Sequence, residues 1–298
     1  MDKYSAVWLS HSSISTFKHC PRAYYLSSIY RDPITHHKIS VINPSMTLGS
    51  AVHEVLESLS ILPTNKRFEI SLIERFDLVW AKYHGQLGGF LDQETEDHYY
   101  ARGQEMLRRV MAHPGPLARK AVKIKMPLPQ YPFSESEGLM LCGKLDWLEY
   151  LPAQAGLPAQ AGNESDDSVN ILDFKTGLSE EGVDSLQLPI YYLLAHNCQT
   201  RAVKKASYWY ISRDDLPVDK TLPDLDKSYE LVLKVGKEIK LARALNRFKC
   251  PQGALGCKHC QPLEKVLKNQ AIFVGNGDYG SDLYVIGESG DTHDSEIL

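Results

Sequence analysis

The chain has 298 residues, 43% of them hydrophobic, and a formal net charge of −4 at pH 7. That is enough apolar material for one large core, and no uninterrupted apolar run is long enough to cross a bilayer. The acidic balance excludes a chain coated in positive charge, but nucleic-acid binding needs only a local basic groove.

In chain order, apolar residues recurring at three and four positions predict helices over about 11–30, 46–61, 68–88 and 94–113. These make a helical N-terminal part, 1–117. Strands are expected near 119–128, 138–150 and 169–175, followed by a helix from Gln187 to about Cys198 and a strand in "KASYWYIS". A basic helix, "KEIKLARALNRFK", then leads into a cysteine-rich stretch. The order strand, strand, strand, helix, strand predicts an α/β fold, a mixed central sheet flanked by helices. The expected organisation is a single domain over 1–274, with the catalytic core at 118–235 and a basic-helix and cysteine region at 236–274. Residues 275–298, rich in Gly, Asp and Ser, read as a flexible acidic tail, in which "LYVI" could add a short edge strand.

The most informative run is Ile171-Leu172-Asp173-Phe174-Lys175-Thr176-Gly177. Alternate side chains of a strand share a face, so Asp173 and Lys175 point one way while Leu172 and Phe174 point into the core. A second strand carrying Asp146, after Gly143-Lys144-Leu145, can bring another carboxylate beside Asp173. Paired carboxylates suit Mg²⁺ or Mn²⁺, which prefer oxygen ligands. Lys175 would then stand beside an attacked phosphate. His53 lies in "LGSAVHEVLE", beside the apolar stripe of Val52, Val55, Leu56 and Leu59. Gln187 and Tyr191 are four residues apart and project from one side of a helix.

In that order, His53, Asp146, Asp173-x-Lys175 and Gln187-x-x-x-Tyr191 resemble the RecB-type branch of the PD-(D/E)xK nucleases, across most of the chain. The resemblance implies that the histidine and both acids surround the metal. It makes Lys175 catalytic and places Gln187 and Tyr191 on the active-site helix. One departure is the connection between Asp146 and Asp173. It holds two copies of "LPAQAG" and then "NESDDS", which read as an expanded surface loop, because loop length raises closure entropy only logarithmically.

Cysteines supply a second constellation. Cys257 and Cys260 form a Cys-x-x-Cys pair, Cys250 lies upstream of them, and Cys20 near the N-terminus can complete four thiolates around one centre. With "SHSSISTFKHCPRAYYLSSI" around Cys20, this split set resembles the iron-sulfur subset of the RecB-like nucleases, similar to the AddB nuclease domain and the CRISPR-associated adaptation nucleases. The resemblance implies a structural [4Fe-4S] cluster. Spacing alone leaves Zn²⁺ as the alternative. Disulfides are not expected, since no signal peptide is evident and a reducing, cytoplasmic setting follows. Cys142 and Cys198 read as small buried hydrophobes.

His19 and His259 are expected as surface imidazoles, and His36-His37 as exposed without partners. Basic clusters occur at "RKAVKIK", "RAVKK" and the helix before Cys250. There Lys240, Arg243 and Arg247 would share one face, either a phosphate-tracking ridge or an ordinary solvated surface. The function implied is a divalent-metal-dependent DNA nuclease in repair, recombination or CRISPR adaptation. It would act on single strands or DNA ends as an exonuclease, alone or beside a helicase or CRISPR-adaptation proteins, without a membrane. The alternative is a DNA-binding subunit that does not cut and holds zinc.

Overall fold

Proline punctuation breaks the first expected helix at the residue that matters most. The computed structural model describes residues 5–126, 128–152, 167–277 and 280–287. Strand β1 (Val7–Leu9) leads into α1 (His11–His19), capped by the Ser10 side chain. Cys20 is extended (φ −159°, ψ 107°), because Pro21 disfavours helical geometry in the residue before it. Helix α2 (Pro21–Tyr24) restarts at once and widens into a turn over Tyr25–Ile29. Then come β2 (Lys38–Val41), α3 (Pro44–Ser58), α4 (Leu72–Trp80) and α5 (Gln93–Ala112). The helix expected over 68–88 is shorter because Gly85 and Gly89, both at positive φ, turn the chain after Tyr83.

The strands β3 (Gln130–Ser134), β4 (Leu139–Cys142), β5 (Trp147–Leu151) and β6 (Ser168–Lys175) precede α6 (Gln187–Cys198), β7 (Ala202–Tyr210) and β8 (Val218–Lys220). Helices α7 (Leu225–Ala244) and α8 (Gln261–Leu267) and strands β9 (Ile272–Gly277) and β10 (Ser281–Val285) follow. The four-stranded sheet runs β5-β6-β7-β8, with β6 antiparallel to β5 and parallel to β7. Smaller sheets run β1-β4-β3 and β2-β10-β9. Strand β6 is covered on both faces, as its nearly continuous apolar run requires. Leu172 and Phe174 pack with Val52 and Val55 of α3, Phe76 of α4 and Leu107 and Val110 of α5. Val169 and Ile171 pack on the other side with Ala195 of α6. Each such side chain contributes roughly 1.5–3 kcal/mol.

Other expectations are corrected as well. The strand expected over 119–128 is a single bridge, Ala121 opposite Glu149. Two backbone bonds, Val122 N–H to Leu148 O and Tyr150 N–H to Lys120 O, hold it before the chain leaves toward Pro129, which has no N–H to offer. The strand expected over 138–150 is two, β4 and β5, in different sheets. The break contains Gly143, where a Cβ would come within 2.8 Å of Leu194 Cδ1, so any larger residue would have to displace the Leu194 side chain of α6. Asp146 therefore sits just before β5 and not inside a strand.

The tail expected from 275 is paired as far as Val285. Strand β10 is the middle strand of its sheet, antiparallel to β9 and parallel to β2. Nor is His37 without a partner. Its Nδ1 lies 2.7 Å from Asp282 Oδ1, and Asp282, 2% exposed, also accepts from Thr35 Oγ1 at 2.7 Å and Asn276 Nδ2 at 3.0 Å. The repeated "LPAQAG" beyond Pro152 and residues 288–298 lie outside the described residues. No helix among the described residues is long and apolar enough to cross a membrane.

Candidate active site

Five expected residues, His53, Asp146, Asp173, Lys175 and Gln187, meet where the end of β6 is flanked by α3 and α6. Helix α3 approaches closely because Gly49 faces Thr176, whose Oγ1 would stand 3.2 Å from a Cβ there. His53 Nδ1 is then 3.2 Å from Asp146 Oδ1, with its ring edge-on to Phe174 at 6.0 Å. The other oxygen, Asp146 Oδ2, accepts the Phe174 backbone N–H at 2.9 Å. That bond fixes the break between β4 and β5 onto β6.

Asp173 is 3% exposed. Its Oδ1 accepts from Gln187 Nε2 at 3.2 Å, and the same amide donates to Tyr191 Oη at 3.4 Å. Its buried Oδ2 lies 3.0 Å from Lys175 Nζ, an ion pair. Lys175 donates to Gln187 Oε1 and, at 2.7 Å, to Glu181 Oε2, and its Nζ stands 4.8 Å from the centre of the Tyr208 ring.

Charge is strongly redistributed here. Burial, and then the adjacent Asp146 carboxylate, push the Asp173 pKa above the usual carboxylate range. Asp146 is equally buried, yet the His53 charge and hydrogen bond and the Phe174 N–H bring its pKa down. Burial alone would lower His53, but Asp146 outweighs it and raises the imidazole from 6.5 to about 9. Lys175 is raised as well, its burial overcome by Asp173 and Glu181. Two acids with opposed shifts, one amine and one imidazole gathered at the end of β6 form the pattern of an acid–base or ion-binding centre.

Glu57 joins this centre although the motif reading passed over it. Donor atoms of His53, Glu57 and Asp146 all lie within 4.8 Å of one another. Its signal was present in the sequence, because Glu57 is one helical turn after His53 on α3 and so shares its face. Lys144 pairs with Glu57. Glu181 was also missed, and no local signal marks it, because it stands in the irregular connection between β6 and α6. The oxygen donors of Glu57 and Asp146 with the His53 imidazole fit a divalent cation such as Mg²⁺ or Mn²⁺.

With this geometry in view, the comparisons decide the family. The sequence model of the PD-(D/E)XK nuclease superfamily matches residues 8–263. The chain belongs to the PD-(D/E)XK nuclease superfamily. It is accordingly a metal-dependent nuclease, with DNA as the substrate the superfamily suggests. A search of curated proteins finds no match.

The nuclease has a second donor set at the junction of its chain ends. Cys20, Cys250, Cys257 and Cys260 bring their Sγ atoms within 4.8 Å of one another. Cys257 and Cys260 are 3.9 Å apart, and all four are free thiols. The Ala23 N–H reaches Cys20 Sγ at 3.4 Å, and the Cys257 N–H reaches Cys260 Sγ at 3.2 Å. Burial pushes Cys20 up to about 12, whereas at Cys257 the backbone N–H groups of His259 and Cys260 overcome burial and bring the thiol to about 7. Four convergent sulfurs fit a thiophilic metal ion or an iron-sulfur cluster. His19 and His259 stack beside them at 4.7 Å. Cys142 and Cys198 are half-buried and lie outside this set.

The basic face expected at Lys240, Arg243 and Arg247 is divided. Glu137 neutralises Lys240 at 3.0 Å together with Lys237 at 3.2 Å, and Arg247 lies beyond the end of α7.

Proposed function

We propose that this nuclease hydrolyses phosphodiester bonds of single-stranded DNA, working from ends as an exonuclease of the RecB-like branch, in DNA repair, recombination or CRISPR adaptation. The observation that carries this reading is the contact of the Asp146 and Asp173 carboxyls, with the Lys175 ammonium 3.0 Å from Asp173 Oδ2. Both carboxylates are held in place before any ion arrives, Asp146 by the Phe174 N–H and Asp173 by Gln187. His53, Glu57, Asp146 and Asp173 would hold the divalent ion. When bound, the ion supplies Lewis acidity and a water of lowered pKa.

Lys175 orients the attacking water or neutralises charge building on the phosphate, and its flat partner Tyr208 keeps the ammonium from swinging away. Of its partners, Asp173 is set by the sheet and Gln187 by α6, so Glu181, on the irregular connection, is the one that yields to a phosphate. Gln187 holds Asp173 and Lys175 in register, and Tyr191 braces Gln187.

At the four thiols we propose a structural [4Fe-4S] cluster, on the similarity of their split arrangement to the iron-sulfur RecB-like nucleases. Two measurements test these readings. Anaerobically purified protein should contain iron and sulfide, and zinc without iron would replace the cluster by a single ion. Labelled single strands with Mn²⁺ should release nucleotides when an end is free and not when both ends are blocked. Equal cutting of doubly blocked strands would make the protein an endonuclease, and binding without cutting would make it a DNA-binding subunit.

A further inference from the structure

A second cavity opens beside the catalytic one, and its chemistry is different. Its volume is ≈ 600 Å³, and it shares Ser10 and Ser12 with the cavity that holds His53, Glu57, Asp146 and Tyr191. Three cations line it, Arg31, Lys38 and Arg243, among hydroxyls such as those of Ser12, Ser27 and Ser28, and no acidic side chain does.

These cations are unusual for a chain of net charge −4. Among the described residues, no carboxylate lies within ion-pairing distance of any of the three, although Lys237 and Lys240 on the same α7 as Arg243 both find Glu137. Arg31 is fixed by donating from Nη1 to the carbonyls of Ser28, Ile29 and Tyr30 at 3.3, 3.0 and 2.8 Å, which leaves its other N–H groups uncommitted to any acid. The Arg243 guanidinium lies against the Tyr24 hydroxyl. Burial, and then the charge of Arg31, hold the Lys38 pKa down, so the two repel across the cavity. Gathering like charges without a counter-ion costs free energy, and a polyanion with several oxygens per charge relieves it. Arginine supplies the forked donors that phosphate accepts, and serine hydroxyls complete the shell. The positive end of α1, at Ser10–Ser13, faces the same space.

We infer that Arg31, Lys38 and Arg243 form a phosphate subsite that grips internal phosphodiester groups of the DNA strand continuing from the catalytic cavity. The inference rests on the nuclease acting on single strands. It gives the strand a direction, from the Asp146–Asp173 pair across Ser10 and Ser12 to the three cations.

Binding of labelled oligo(dT) is measured by anisotropy with Ca²⁺ replacing Mg²⁺ or Mn²⁺, from 50 to 200 mM salt. Each phosphate contact on a single strand contributes about 0.7 to the slope of log affinity against log salt. The triple variant Arg31→Gln, Lys38→Gln, Arg243→Gln should therefore lose about 2 from that slope, so that wild-type affinity falls about 20-fold more than the variant's across the range. Arg31→Gln gives up three bonds to backbone carbonyls, so binding is compared at a temperature where circular dichroism shows both proteins folded, and Lys38→Arg in place of Lys38→Gln should restore its share of the slope. The control Lys237→Gln, Lys240→Gln should change the slope by less than a single contact's share.

An unchanged slope in the folded triple variant, with wild-type protein still cutting single strands, overturns the subsite and leaves the nuclease reading standing. A wild-type preference for 5′-phosphorylated over 5′-hydroxyl strands that the triple variant abolishes would assign the cavity to a chain end and overturn the internal-strand assignment. Wild-type protein that neither binds nor cuts single strands removes the single-strand reading on which the subsite rests.

Discussion

The carboxylate–histidine cavity is assembled from the middle of the chain, on a strand buried on both faces, whereas the four thiols come from the two ends. The cavity's acids already have internal partners in the Phe174 N–H, His53 and Gln187. The thiols have backbone N–H groups and one another as partners, and burial opposes ionising Cys20. The first site is pre-organised and strained by like charge. The second is a buried cluster of free thiols, and an ion bound there would add its binding free energy to folding.

Breaking each site should therefore move stability in opposite directions. Cys20→Ser should cost about 4 kcal/mol or more, seen as a fall in melting temperature of roughly 10 °C. Asp173→Asn in chelator-treated protein should leave the melting temperature unchanged or raise it, because it removes one of two abutting carboxylates. A stable Cys20→Ser protein would erase the contrast.

The next largest effect is a pH dependence. His53 is raised from 6.5 to about 9 in the metal-free protein. Its contribution is thus fully present below pH 6.5 and lost as pH rises through about 9, a change on the order of 2–3 kcal/mol. Melting of chelator-treated protein across that window measures it, and His53→Gln should flatten the curve. The same proton must leave when the metal binds, so calorimetry at pH 7.5 in buffers of different ionisation enthalpy should report proton release.

Glu57→Gln should weaken Mn²⁺ binding about tenfold, near 1.4 kcal/mol, read by Mn²⁺ titration without any substrate. The smallest effect is expected from Glu181→Gln. Removing a carboxylate that competes with phosphate for Lys175 should lower KM for single strands about threefold.

Much of the geometry of the candidate site was legible because its signals are local. Two-residue alternation puts Asp173 and Lys175 on one face, and four-residue spacing pairs Gln187 with Tyr191 and, had it been read, His53 with Glu57. The thiol set was legible because cysteines are few and their spacing is distinctive. What could not be read depends on distant contacts. The break at Gly143 is forced by the approach of Leu194, and Glu181 reaches Lys175 only because of how an irregular connection folds back. Strand β10 pairs in parallel with β2, more than two hundred residues earlier, and no composition rule distinguishes that from a solvated tail. His37 finds Asp282 by the same long-range pairing.

The most direct measurement is Mn²⁺-dependent nucleotide release from end-labelled single strands by wild-type protein and by Lys175→Ala, with the metal content of the thiol site matched. The account predicts a loss of about 10²–10⁴-fold in kcat/KM for Lys175→Ala, with Mn²⁺ binding retained. Cleavage by Lys175→Ala at the wild-type rate would contradict it.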